Sequence, residues 1–169
     1  MLKMVTEAGA KTVERLFALY EESMQDLRPN FETDEAMKTA YTEFLADFLT
    51  HEGQMVLVEE QEGAWVSGLR AIEMEKGHWF LEAVETRPAC RQKGYGKILL
   101  HHTLAFLQEK GMTQVTCTIH RNNMPSIRLH TSCGFCETKE PPVNCWGEEE
   151  PSCRLYRFVP LDHQKTAAY

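Results

Sequence analysis

A basic, glycine-bearing turn, Arg91-Gln92-Lys93-Gly94-Tyr95-Gly96-Lys97, constrains this chain more than any other stretch. It joins an apolar run, Trp79 to Val84, that reads as a strand, to a segment whose Leu100, Leu104 and Leu107 share one helical face, widened by Leu99 and Phe106. The first N–H groups of a helix have no partner inside it and carry partial positive charge. Glycine removes the Cβ atoms that would hold an anion away from those donors, so a phosphate can rest on them. Arg91 and Lys93 add charge to the same turn. The turn therefore proposes an anionic ligand. Read alone, it is equally an ordinary strand-to-helix connection, because it has neither the Gly-x-Gly-x-x-Gly spacing of a dinucleotide fold nor the Gly-Lys-Ser/Thr ending of a triphosphate loop.

Composition excludes several classes. With 169 residues, 43% apolar and 25% charged, the chain suits one compact domain over 1–161, followed by a loose tail over 162–169. No apolar run is long enough to span a membrane, and the N-terminus turns acidic too soon for a signal peptide. A net charge of −7 argues against nucleic-acid binding, which depends on phosphate neutralisation. The six cysteines form no small-scaffold framework and read as reduced thiols of a cytoplasmic protein, monomeric or homodimeric. Cys133-Gly134-Phe135-Cys136 resembles a redox pair but straddles a helix end, the wrong pole for lowering a thiol pKa. Cys145 and Cys153 are too far apart to complete a zinc set, so no metal is expected.

In chain order, Leu2 to Val5 reads as an edge strand. A first helix follows Thr12, with Val13, Leu16, Phe17, Tyr20 and Met24 on one face, and Arg28-Pro29-Asn30 breaks it. A second helix starts at the cap Thr33 and carries Met37, Tyr41, Phe44, Leu45, Phe48 and Leu49. Strands Met55–Val58 and Trp65–Ile72 flank the turn Glu60-Gln61-Glu62-Gly63, and Lys76-Gly77 leads to the strand ending near Thr86. After the glycine turn and its helix, Val115, Cys117 and Ile119 alternate as a strand, which the intervening helix allows to pair parallel to the one before the turn. Asn123 caps a further helix with Pro125 in its first turn and Gly134 at its end. The last strand is Cys153 to Val159.

Arg91-x-x-Gly94-x-Gly96 after a strand, with Asn123-x-x-Ser126 and Gly134-Phe135 around the next helix, resembles the two signature motifs of the GNAT superfamily of N-acetyltransferases. The order of elements is similar to that family's over nearly the whole chain. The resemblance implies an α/β (α+β) fold: a mixed, mostly antiparallel sheet flanked by helices, with a central strand–helix–strand cofactor unit. It implies acetyl-CoA as cofactor. The amides of Gln92, Lys93, Gly94, Tyr95, Gly96 and Lys97, with Arg91, would hold the pyrophosphate, the backbone of Val84, Glu85 and Thr86 the pantetheine, and Asn123 with Ser126 the cofactor arm.

The reaction implied is direct attack of a primary amine on the acetyl carbonyl. Two positions depart from the family pattern. His130 stands where many relatives carry a Tyr that protonates the departing thiolate, and a histidine can give a proton near neutral pH. Phe80 occupies the place of the base used by histone-acetylating relatives; Glu82, two residues on, shares its strand face and is the candidate base, while Glu85 would face oppositely unless a bulge intervenes. The acceptor is a small-molecule or protein amine. Acidic residues between Tyr20 and Tyr41, Glu21, Glu22, Asp26, Glu32, Asp34 and Glu35, are compatible with a cation. The other class left open is a non-catalytic module that binds acyl-CoA as a sensor.

Overall fold

The computed structural model describes residues 1–161, so the tail expected over 162–169 lies outside the described residues. The chain begins with β1 (Leu2–Val5), then α1 (Ala10–Leu19), α2 (Glu21–Leu27), a 3-10 turn over Arg28–Asn30, and α3 (Asp34–Thr50). Strands β2 (Gln54–Gln61), β3 (Ala64–Glu75) and β4 (His78–Thr86) follow, then a 3-10 turn over Pro88–Cys90 and α4 (Tyr95–Glu109). The rest is β5 (Gln114–His120), α5 (Met124–Ser132), the two-residue β6 (Cys136–Glu137) and β7 (Cys153–Phe158). The sheet has seven strands in the order β1-β2-β3-β4-β5-β7-β6. β1 pairs antiparallel with β2 at one edge, as its position in sequence suggested, and β4 pairs parallel with β5 through the crossover supplied by α4. This is the mixed, mostly antiparallel sheet expected.

Two compact units divide the chain. The first comprises Met1–Arg70 and Ala83–Leu99, the second Ala71–Glu82 and Leu100 onward. In the first, Leu16, Leu19, Leu45, Phe48, Leu57 and Leu69 are shut from solvent. At Gly68 an added Cβ would stand 3.1 Å from Leu19 Cδ1 and 3.3 Å from Val58 Cγ1, so any larger residue would have to push α1 or its neighbours by a few tenths of an ångström. In the second unit, Leu100, Leu107, Met112, Val115 and Phe135 are buried, and β5 pairs antiparallel with β7, from Val115 opposite Phe158 to His120 opposite Cys153.

Local chemistry explains most boundaries. Thr33 caps α3, its Oγ1 accepting from Ala36 N at 3.0 Å, with Asp34 and Glu35 in the dipole-favoured first turn. The first helix departs from expectation. It starts at Ala10 after Gly9 rather than at Thr12, and it breaks at Tyr20, not at Arg28. Tyr20 N still donates to Leu16 O and Tyr20 O still accepts from Met24 N, both at 2.8 Å, but a ψ of 28° turns the axis between them. No glycine or proline announces this kink, and Tyr20 is a buried residue of the core.

Candidate active site

The head of α4 is built as its sequence foretold. Gly94 takes a φ of +81° and Gln92 one of +61°, and the carbonyl of Gly94 accepts the first helical bond from Ile98 N at 3.0 Å. Left-handed residues interspersed in a turn curl successive N–H groups toward one point, the concave arrangement that receives anions. A Cβ built on Gly94 meets nothing within 4 Å, so the space above it is open. Gln92, Lys93, Gly94 and Lys97 are exposed, Tyr95 is half-buried and Gly96 is buried. Ser67, itself buried, donates from Oγ to Tyr95 O at 3.3 Å and fastens the turn to β3.

Arg91 faces back from the turn. Its Nε donates to Thr86 O at 3.0 Å, its guanidinium bonds Glu22 of α2, and it stands 3.9 Å from Glu85 Oε1. Lys93 Nζ donates to Ala89 O at 3.3 Å. Val84, Glu85 and Thr86 lie on the part of β4 beyond its register with β5, which runs from His78 opposite Gln114 to Phe80 opposite Thr116.

The bulge that sequence left conditional is present. Ala83, within β4, has a φ of +50°, a left-handed residue that interrupts the pleat and resets which way the following side chains point. Glu85 is thereby brought to α2, where its Oε2 accepts from Ser23 Oγ. Burial raises the Glu85 carboxyl above the usual carboxylate range, against the pull of the Ser23 hydrogen bond and the Arg91 charge. Glu82 belongs to the other compact unit, with Cys145 Sγ 3.6 Å from its Oε2.

Beside the bulge is a pocket of about 400 Å³ whose wall includes Ala83, Ser23, Tyr20, Leu27, Phe31, Tyr41, Phe44 and Arg70. Sequence pointed only to acidic residues between Tyr20 and Tyr41 as compatible with a cationic acceptor. It gave no role to Ala83, Ser23 or Arg70, of which only Arg70, a charge set within the apolar run Leu69 to Ile72, carried a visible signal.

In the second unit, Asn123 caps α5, its Oδ1 accepting from Ser126 N at 3.2 Å. His130 is buried, edge-on to Phe135 with ring centroids 5.2 Å apart. Its Nδ1 lies 2.8 Å from the carbonyl of Ser126, which can only accept, so Nδ1 carries the proton in the neutral ring and Nε2 is a bare lone pair. Nε2 could give a proton only from the imidazolium, and burial lowers the pKa of that form. Cys133 Sγ is 4.0 Å from His101 Nε2, and Cys136 is exposed.

A mixed sheet with β4 parallel to β5, joined by a helix that opens on a left-handed glycine turn, is the architecture of the family that the sequence also matches. A sequence model of the acetyltransferase (GNAT) family matches residues 14–135. The chain belongs to that family and is an acetyltransferase. Among solved structures it is similar to the PaiA N-acetyltransferase of Thermoplasma acidophilum in complex with coenzyme A, with 14% identity over 95% of this chain and 99% of that one, at a TM-score of 0.70. It is also similar to a ribosomal-protein-alanine N-acetyltransferase of Brucella melitensis, with 21% identity over 95% and 99% of the two chains and a TM-score of 0.68. A third neighbour, the ribosomal-protein-S18-alanine N-acetyltransferase of Escherichia coli, is 14% identical over 94% of each chain with a TM-score of 0.64. At these identities the structures speak for the fold. No curated protein matches the sequence.

Proposed function

We propose that the chain moves an acetyl group from acetyl-CoA to a primary amine by direct attack. The observation that carries this reading is the open, left-handed turn at Gln92–Gly94 heading α4, with a bulge at Ala83 and a pocket beside that bulge in the same compact unit. The residues fit the cofactor. Amides from Gln92 to Lys97 would hold the pyrophosphate, the space over Gly94 leaves room for it, and Arg91, Lys93 and Lys97 supply countercharge. The backbone of Val84–Thr86 would pair with the pantetheine, and Asn123 and Ser126 would meet the cofactor arm. When bound, acetyl-CoA supplies an acetyl carbonyl already activated as a thioester.

The chain's own part is to present the amine nitrogen unprotonated and dry. Glu85 is the carboxylate placed for this. Ser23, its hydrogen-bond partner, lines the pocket, so a proton leaving an amine there can pass through Ser23 Oγ to Glu85. Its raised pKa brings its basicity nearer to the working pH, which favours proton acceptance. Glu82, beside Cys145, is a less direct candidate, and neutral His130 serves packing against Phe135 rather than proton donation. The test is thiol release from acetyl-CoA with a panel of primary amines, beside calorimetry of CoA. Binding with amine-dependent release supports the reading; CoA binding without release on any amine describes a sensor instead.

A further inference from the structure

We infer that the acceptor is a small primary monoamine with a neutral, ring-bearing body, the body lying among Met24, Leu27, Phe31, Tyr41 and Phe44 and the nitrogen at Ser23. This rests on the acetyl-transfer reading and narrows it to a substrate class. At about 400 Å³ the pocket is within the roughly 300–1,000 Å³ typical of small-molecule sites. Its wall is mostly aromatic and aliphatic, and among the described residues none of those lining it is acidic.

The protein leaves part of this wall uncovered. Leu27 is 47% exposed, and Phe31, Tyr41 and Phe44 are only half-buried. Large apolar side chains left wet around one recess mark a binding surface, because a ligand that covers them releases water. The rings are held against one another. Tyr41 stands edge-on to Phe17 at 5.4 Å and lies 6.1 Å from Phe44, which lies 5.7 Å from Phe48. Such a fixed set of faces and edges complements a further ring. Burial pushes the Tyr41 phenol up to about 12 against the pull of Arg70, so Tyr41 presents a neutral O–H.

The polar part of the wall suits one amine. Ser23 lines the cavity and donates to Glu85, which gives a reacting nitrogen a proton acceptor through the hydroxyl. A second ammonium would leave water with no counter-charge in the wall. The acidic residues that made a polycation attractive are engaged elsewhere: Asp34 bonds Arg28, Glu22 bonds Arg91, and Glu21 lines a separate recess of about 300 Å³. Arg70 is engaged within the protein, its guanidinium carbon 4.9 Å from the Phe44 centroid and 5.9 Å from that of Phe48. A carboxylate on the acceptor would compete with contacts already made.

Thiol release from acetyl-CoA is measured with phenethylamine, ethylamine, L-phenylalanine, spermidine and a peptide with an amino-terminal alanine, using wild type and Leu27→Glu. Rates are expressed per unprotonated amine. Phenethylamine should have kcat/KM about tenfold higher or more than ethylamine, the scale of burying one apolar side chain, and should exceed the other three. Leu27→Glu brings a carboxylate to the wall from an exposed helix position and should lower the phenethylamine-to-spermidine ratio about tenfold, the scale of one charge-assisted contact. Equal rates for phenethylamine and ethylamine would overturn the inference while acetyl transfer stands. So would a preference for spermidine, L-phenylalanine or the peptide, or a ratio unmoved in Leu27→Glu. CoA binding without release on any of these amines overturns it and spares the cofactor site. Failure to bind CoA at all overturns the acetyl-transfer reading as well. The wild-type comparisons decide even if Leu27→Glu does not fold.

Discussion

The chain opens two helices with motif residues of opposite character. At the head of α5, Asn123 has a side chain and uses it, taking the N–H of Ser126 into the protein's own cap. At the head of α4, Gly94 has none, its backbone is left-handed, and nothing stands where its Cβ would be. One opening is capped by its own side chain. The other has open space over it, where we propose the cofactor's phosphates rest, and Ser67 anchors it from behind. The two helix starts thus differ at the capping position, where one has a side chain and the other has none.

Substitutions that exchange these characters should break the contrast. The largest effect is expected from Gly94→Glu, which puts a carboxylate where the phosphate belongs and forces a side chain onto a φ of +81°. Calorimetry should show CoA affinity falling about 100-fold or more, the equivalent of about 2.7 kcal/mol, and unchanged affinity would remove the turn from the site. Glu85→Gln should come next, lowering kcat about 100-fold while CoA still binds. In wild type, kcat should rise with pH through a midpoint above the ordinary glutamate value, because the raised carboxyl must first lose its proton; the variant should lose that limb. The same raised pKa predicts the opposite trend in stability: Glu85's contribution is complete at low pH and is lost as pH rises through its folded value.

Asn123→Ala should act mainly on the fold, costing about 1 kcal/mol, seen as a fall in Tm of roughly 2–4 °C, with a smaller loss of CoA affinity than Gly94→Glu produces. Equal losses of affinity would erase the distinction between the two openings. The smallest effect concerns His130. Its folded pKa is depressed, so its contribution is complete above about 6.5 and is lost as pH falls through the folded value. Melting scans between about pH 7 and about pH 5.5 should show His130→Phe losing less Tm on acidification than wild type.

Much of this was legible in the chain. Gly94 and Gly96, Thr33 and Asn123 act on backbone groups within a few residues, and the alternation of Val115, Cys117 and Ile119 reports a face directly. The predicted core face of α3 was also right in kind but mixed in role. Met37, Leu45 and Phe48 are buried, whereas Tyr41 and Phe44 from the same stripe are only half-buried and become pocket wall. Periodicity marks what is apolar and cannot say whether another side chain or a ligand will cover it.

By itself the sequence determined most of the order of elements, the caps of α3 and α5, the parallel pairing of β4 with β5 and the glycine-bearing turn before α4, since each follows from short-range sterics and hydrogen bonding. Tertiary structure alone decided the kink at Tyr20, the bulge at Ala83, the union of Glu85 with Ser23 and the place of Arg70 in the pocket. Ser23 and Glu85 are 62 residues apart, and an alanine in a strand shows no preference for a left-handed backbone. Such features are held by contacts between distant segments, so they exist only once the chain has closed around them.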